Sequence, residues 1–469
     1  MNAVHDMESF FPLAGAVRQT QEQAVSQFRR RVVALVLICT LPTAVLLAAG
    51  RLQLAADCFW AVFLAIVGAL ILFRRHETLL SLIIGVIPWL SLLRGSGFMF
   101  YNVNAVVLAV GALHYLVRAP QVVVATGRGC RLAVCLIVGA GIYYALSLAR
   151  TGDYARNLRM FEFGLAVWCV LLAGRNRFVL GSGLLGLIFA AVAAGLALLP
   201  HNGLIGRLGI AVIEGSVVGN PVQLGMALAL VCLAMLVDRG HWLAWIEARW
   251  WNGCWLVIAA ILLVLTTSRA AWLVTSCGLL LTAMFGRNQR VRSVLLAGMV
   301  PVCVLVALAG PFGTGLRDGL HRTFSEERDM TGRTSGRSDQ WRVAGRAVTM
   351  SPLRLLCGYG PGTGPTVYAK ASDEVADVRY AVGRKAEWHS LFLQVLVETG
   401  LVGLTFLVVW LAVAFARVVA GLRRTGRLLP LVCFSGYVLT ILTVSGNDTI
   451  AGTMLGIALL GAGSRHAQG

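Results

Sequence analysis

The chain has 469 residues, of which 58% are hydrophobic and only 13% are charged, with a mean hydropathy of +0.78. A soluble fold could not bury so much apolar surface, and no ten-residue alternating pattern indicates a β-barrel, so composition predicts an all-α polytopic membrane protein. The net charge of +19 does not indicate nucleic-acid binding, because the basic residues lie in short clusters between apolar runs.

Eleven cysteines occur singly, nearly all of them in apolar runs, so neither a disulfide framework nor a metal-type spacing is indicated. We expect chemistry without a cofactor or metal. Residues 1–31 are polar and end in Arg29, Arg30 and Arg31. This segment is too long, and its sequence is unsuitable, to be the flank of a cleaved signal peptide. We therefore expect a cytoplasmic tail followed by an uncleaved first span.

The apolar runs that follow are each about the 18 to 20 residues that cross hydrocarbon as a helix. We predict twelve to fourteen transmembrane helices, because the runs at 77–94, 160–174 and 447–462 could also be re-entrant or interfacial. Transmembrane helices are expected over 32–310 and 391–462, separated by a large, partly helical periplasmic loop over 311–390 and followed by a cytoplasmic tail over 463–469. The fourteen runs are 32–50, 54–73, 77–94, 98–117, 131–149, 160–174, 178–199, 220–237, 253–268, 269–286, 293–311, 391–417, 428–446 and 447–462.

The orientation follows from the arginines in the connections between these runs. With the N-terminus in the cytoplasm, the cytoplasmic segments carry twenty-one arginines and the short outer connections carry seven. This bias predicts that the N-terminus is cytoplasmic. It places Arg207, Arg269 and the long loop together on the periplasmic side.

Within the long loop, Ser338 and Asp339 could cap a helix with Trp341, Ala344 and Val348 on one face. Arg342 and Arg346 lie on another face and Pro352 stops it, so we expect this helix to lie on the membrane surface. The run Gly358-Tyr359-Gly360-Pro361-Gly362-Thr363-Gly364-Pro365 lacks the features of a nucleotide-phosphate loop. We interpret it as a turn and hinge; contact of its amides with phosphate is the alternative.

Two arginines at membrane boundaries are candidates for binding a diphosphate. Arg269 lies at the junction of two apolar runs with almost no linker, and Arg207 precedes the interrupted stretch from Gly219 to Gln223. Irregular backbone at this depth is tolerated where it lines a cavity. Either arginine could instead be an anchor that reaches lipid phosphate. Two guanidinium forks facing one cavity would bind a doubly charged diphosphate.

The span after the loop begins with His389 and carries Ser390, Gln394 and Glu398 at four-residue intervals. These three form a polar stripe that must face the bundle interior. For Glu398 we favour structural pairing with an arginine, and for His389 the uptake of a proton from a sugar hydroxyl. The alternative for His389 is a structural residue beside the interfacial Trp388.

The last 270 or so residues resemble the O-antigen ligase and O-antigen polymerase superfamily. Three segments carry the resemblance: Thr267–Trp272, Gly336–Ser338 with Trp341 and the later Gly358–Gly362, and His389 with Leu393, Gln394 and Glu398–Gly403. Where the family usually has asparagine after the histidine, this chain has Ser390.

The resemblance implies transfer of a whole glycan from undecaprenyl diphosphate in the periplasm, in ligases to the sugar of a lipid A–core acceptor. It implies that Arg207 and Arg269 hold the diphosphate and that His389 activates the acceptor. Arg337, Arg342, Gln394 and Glu398 are the further candidates for substrate binding. The expected partners are therefore the undecaprenyl diphosphate-linked glycan, lipid A–core and membrane lipids, and no nucleic acid.

Several alternatives stay open at this point. Within the class, the protein could be an O-antigen or exopolysaccharide polymerase or a protein O-oligosaccharyltransferase. A transporter of lipid-linked glycan would require charges at mid-membrane in two related halves, and here the halves are unrelated. A sensor that binds a glycan without turnover is a further possibility.

Overall fold

The computed structural model describes residues 12–93, 108–109, 128–151, 154–174, 176–204, 208, 211–214, 216–237, 249–286, 337–375, 388–443 and 448–463. Long apolar helices dominate these ranges, so the expected all-α polytopic membrane fold is confirmed. Outside the loop the helices are α1 (Pro12–Ala48), α2 (Leu52–Leu72), α3 (His76–Leu92), α4 (Arg128–Thr151), α5 (Tyr154–Ala173), α6 (Arg177–Leu198), α7 (Pro221–Val237), α8 (Arg249–Leu265), α9 (Arg269–Phe285), α13 (Leu391–Thr425), α14 (Leu429–Thr443) and α15 (Thr449–Gly463).

Four stretches are long and apolar enough to cross a membrane by length and composition, and eight shorter apolar helices accompany them in the described residues. The four are Gln23–Ala48, Leu52–Leu72, Arg177–His201 and Leu391–Thr425. The predicted spans at 98–117 and 293–311 lie outside the described residues, apart from 108–109. Helix α1 starts at Pro12, so much of the predicted N-terminal tail is helix continuous with the first span.

The runs at 77–94, 160–174 and 447–462, which could have been re-entrant or interfacial, form helices inside the bundle rather than at its surface. Every residue of α3 from Leu79 to Leu90 is buried. Its backbone approaches α6 closely, since a Cβ added at Gly85 would lie 3.2 Å from the Cα of Gly186. Small residues at such crossings let helices associate where water supplies no driving force. α5 and α15 pack together in the same way, with Gly452 against the carbonyl of Phe163.

Close glycine contacts also fix the helix directions. Gly225 near the start of α7 lies against Ala271 near the start of α9, and Gly421 lies against Gly461 near the ends of α13 and α15. α14 runs the other way, because its start lies against later parts of these helices: Val432 contacts Gly278 of α9 and Pro430 contacts Gly461 near the end of α15. α7, α9, α13 and α15 therefore all begin at one end of the bundle, which we call the starting end.

The described part of the long loop contains three helices: α10 (Arg337–Thr349), α11 (Pro352–Cys357) and α12 (Gly364–Ser372). α10 begins at Arg337, so Ser338 and Asp339 lie in its first turn rather than capping it. As expected, it ends before Pro352. Ala344 and Val348 are buried, whereas Trp341, which the periodicity grouped with them, is 61% exposed.

A second buried cluster holds the loop together. Val343, Ala347, Val367, Tyr368 and Trp388 form it, with Val397 of α13. Because this cluster includes the residue directly before His389, the loop helices fix the entry of the chain into α13. A short antiparallel hairpin, β1 (Ala211–Ile213) and β2 (Ser216–Val218), precedes α7.

Candidate functional site

Arg269 is the first residue of α9 and follows a turn of only three residues. Thr267 adopts a left-handed conformation with φ 47°. The hydroxyl of Thr266 donates to the carbonyl of Leu263 at 2.7 Å, and the hydroxyl of Ser268 accepts from the amide of Ala271 at 3.4 Å. Hydroxyls thus satisfy backbone groups where one helix ends and the next begins. As expected, this places the half-buried Arg269 directly at the starting end.

Arg207 lies outside the described residues. Leu208, which follows it in sequence, is buried and donates its amide to the carbonyl of Leu265 at 2.9 Å. Leu265 is the last residue of α8, four positions before Arg269. The chain at 208 therefore runs beside the turn that positions Arg269.

A small cavity opens beside the start of α7. It is lined by Pro88, Ser91, Leu92, Asn220, Gln223, Leu224, Ala227 and Ile450. The Gly219–Gln223 stretch lines a cavity, as expected, but it is irregular only at Gly219 and Asn220. α7 starts at Pro221, because the Asn220 side chain accepts from the amide of Val222 at 2.9 Å.

His389 is half-buried and lies two residues before the start of α13 at Leu391. Trp388 before it is 2% exposed and packs edge-on against Tyr368 of α12, with ring centroids 5.1 Å apart. Ser390 after it is buried in an extended conformation. His389 is therefore held between two buried residues, at the same end of the bundle as Arg269.

The polar stripe of α13 faces protein, as predicted. Gln394 donates to the hydroxyl of Tyr143 at 3.1 Å, and that hydroxyl donates to the carboxylate of Glu398. Glu398 is 2% exposed and also accepts from the amides of Gly362 at 2.9 Å and Gly364 at 3.1 Å. A phenol and two backbone amides are thus among the partners of Glu398, and its expected pairing with an arginine stays a prediction.

The glycine run forms a tight turn, in agreement with its interpretation as a turn-former. Gly358, Gly360 and Gly362 have φ of 69°, 103° and 78°, which favour glycine. A Cβ at Gly358 would lie 2.4 Å from the carbonyl carbon of Glu398, and one at Gly400 would lie 2.2 Å from the carbonyl oxygen of Leu356. The loop and the kink of α13 thus interlock through backbone that tolerates no side chain.

Two residues of α4 that the motif analysis missed belong to this site. Tyr143 bonds to Glu398, and Arg150 places its guanidinium 2.1 Å from where a Cβ of Gly360 would be. Both lie on the α4 face that includes the buried Ser147. The spacing of Tyr143, Ser147 and Arg150 along one face of an apolar helix was the signal that could have found them.

Two of the remaining candidates are loop arginines. Arg342 lies on an exposed face of α10 and pairs with the buried Asp339. Arg337 is the first residue of α10, and its side chain lies outside the described part of the structure.

Residues 254–408 match the family model described as O-antigen ligase. A search of the curated proteins finds no match. The matched segment includes Arg269, the glycine run, His389 and Glu398, whereas Tyr143 and Arg150 precede it. The match supports a glycosyl-transfer role of the O-antigen ligase or polymerase kind. The resemblance found in the sequence is thus confirmed, because the match over residues 254–408 supports the O-antigen ligase superfamily.

Proposed function

We propose that the protein transfers a glycan en bloc from undecaprenyl diphosphate to a lipid A–core acceptor on the periplasmic face of the bacterial inner membrane. The observation that carries this proposal is the position of Arg269 and His389. Arg269 is the first residue of α9 and His389 lies two residues before α13, and these two helices of the family-matched segment start at the same end of the bundle. The arginine bias of the connections assigns that end to the periplasm.

In the proposed reaction, the imidazole of His389 takes the proton of an acceptor hydroxyl. The hydroxyl oxygen attacks the anomeric carbon from the side opposite the diphosphate, which gives inversion. The bond from the anomeric carbon to the diphosphate oxygen breaks, and its electron pair leaves with undecaprenyl diphosphate. Arg269 and Arg207 neutralise the charge that develops on this leaving group.

The acceptor would be held by the loop and by α13. We assign Arg337, Arg342 and Gln394 to acceptor binding, and for Arg342 this means exchanging Asp339 for a phosphate of the acceptor. The N-terminus would be cytoplasmic, with 311–390 in the periplasm.

The test is transfer from a purified lipid-linked glycan to lipid A–core by the reconstituted protein. Since general base catalysis contributes about 10²- to 10⁴-fold, we expect His389→Ala to lower kcat by that factor. Arg269→Ala should lower it by about 10²- to 10³-fold. Arg423→Ala, at the opposite end of α13, is the matched control and should transfer at the wild-type rate.

Arg269→Lys separates the diphosphate clamp from a lipid anchor. A lysine keeps the charge that an anchor needs but loses the fork that binds two phosphate oxygens. The clamp predicts that this variant stays strongly impaired. Wild-type turnover by Arg269→Lys together with wild-type turnover by a folded His389→Ala would contradict the mechanism.

Deletion of the gene distinguishes the acceptors. A ligase predicts loss of all long-chain sugar on lipid A, while lipid-linked polymer accumulates. If only single repeats remain on lipid A, the protein is a polymerase, and a defect confined to glycoprotein indicates a protein O-oligosaccharyltransferase.

A further inference from the structure

One helical turn of α13 binds four backbone amides of the glycine run. The amide of Tyr359 donates to the carbonyl of Val397 at 3.0 Å, and that of Gly360 donates to the carbonyl of Glu398 at 2.7 Å. The amides of Gly362 and Gly364 donate to the two carboxylate oxygens of Glu398. These amides are therefore satisfied by protein and are not exposed donors for a phosphate.

Burial of the Glu398 carboxylate has a desolvation cost that these hydrogen bonds help to offset. A buried charge needs several hydrogen bonds to replace its hydration, and bonds to a carboxylate are stronger than neutral ones. Two such bonds come from the loop and another from the hydroxyl of Tyr143, to which Gln394 also donates. Tyr143 belongs to α4, so a helix outside the family-matched segment completes the arrangement.

The hydrogen bonds of Glu398 affect His389 through Trp388, the residue that precedes it. Gly364, whose amide bonds to Glu398, also lies under the indole of Trp388, because a Cβ there would lie 2.7 Å from Nε1. Trp388 is wedged against Tyr368 on α12, the helix that Gly364 begins. A displacement of Gly364 would therefore shift Trp388 and, with it, the adjacent imidazole.

We propose that Glu398 is a positioning residue. Together with Tyr143, it fixes the loop from Gly358 to Gly364 and thereby the place of His389. The inference rests on the proposed role of His389 in proton transfer. It explains why a carboxylate lies in the matched segment without facing solvent, and it gives α4 a part in the reaction.

Hydrogen exchange of the whole reconstituted protein, without substrates, tests whether Glu398 and Tyr143 fix the loop. Glu398→Gln is nearly isosteric but presents an amide group to backbone donors, and Tyr143→Phe removes one hydroxyl. Both should speed exchange in the peptide that covers Gly358–Gly364, by about 10-fold or more. Glu374→Gln is the matched control, because Glu374 is an exposed carboxylate of the same loop that pairs with Arg346 at 3.1 Å. It should leave this peptide unchanged, and so should His389→Ala.

Transfer kinetics test whether the fixed loop positions His389 for proton transfer. A misplaced base should lower kcat with little change in the donor KM, by up to about 10²-fold for Glu398→Gln and less for Tyr143→Phe. Because both act through one network, the double variant should be no slower than Glu398→Gln alone. Wild-type exchange in Tyr143→Phe and Glu398→Gln would overturn the proposal, as would faster exchange with unchanged kcat. If instead His389→Ala transfers normally while both variants exchange faster, the proposed function fails and the loop contact stands.

Discussion

The two helix starts that carry Arg269 and His389 are built in opposite ways. α9 begins after a turn where the side chains of Thr266, Ser268 and Trp272 make hydrogen bonds to residues at most nine positions away. α13 begins beside a loop that is held by Glu398, and Glu398 is held by Tyr143, 255 positions earlier. The hydroxyl hydrogen bonds at the first start are local, whereas the hydrogen bond between Tyr143 and Glu398 at the second joins distant segments. Substitutions at the second start should therefore cost more and act over a longer range.

The largest effect is expected at Gly400, where α13 kinks. Its φ of 68° and ψ of −165° favour glycine, and a Cβ would collide with the carbonyl of Leu356. We expect Gly400→Ala to lower the free energy of unfolding by about 3 kcal/mol or more, since strain and overpacking add. The measurement is the denaturant midpoint in mixed micelles, with hydrogen exchange across Gly358–Gly364. A wild-type midpoint would show that the interlock between loop and kink is not tight.

A smaller effect is expected where α7 crosses the Arg269 turn. A Cβ at Gly225 would lie 2.9 Å from the Cβ of Ala271 and 3.1 Å from both Ser268 and Thr266. The nearest atoms belong to side chains, so Gly225→Ala should cost about 1 to 3 kcal/mol, as overpacked cores do. The same denaturant titration checks this. A loss as large as that of Gly400→Ala would contradict the contrast between the two starts.

The sequence predicted the first start far better than the second. The junction at Arg269 and its missing linker follow from two adjacent apolar runs and from hydroxyl residues that cap helices. The polar stripe of α13 was also predicted, because charged side chains in a membrane span must face protein. The phenol and the backbone amides that bind Glu398 were not predicted, because such partners leave no charge pattern in the sequence.

Loss of the cap at Ser268 should have a local effect. Ser268→Ala removes the hydroxyl that accepts from the amide of Ala271, which typically costs about 1 kcal/mol. Fraying of the first turn of α9 would also loosen Arg269, so transfer should fall several-fold. Hydrogen exchange is expected to rise at 268–272 and to stay unchanged at Gly358–Gly364. A rise in both segments would mean that the two helix starts are coupled.

The smallest change is a stabilisation at Gly345, in the same loop as the glycine run. Gly345 lies on the exposed side of α10. Apart from its chain neighbours and the nearby backbone of α10 itself, no heavy atom lies within 4 Å of an added Cβ. Because glycine costs about 0.5 to 1 kcal/mol relative to alanine in a helix, Gly345→Ala should raise the free energy of unfolding by about that amount. The variant is the counterpart of Gly400→Ala, since the chemical change is identical and only the backbone conformation and the space differ. The expected shifts of the denaturant midpoint are therefore opposite in sign. Equal losses at both positions would mean that the cost at Gly400 comes from disturbing the loop in general and not from the close approach of Leu356.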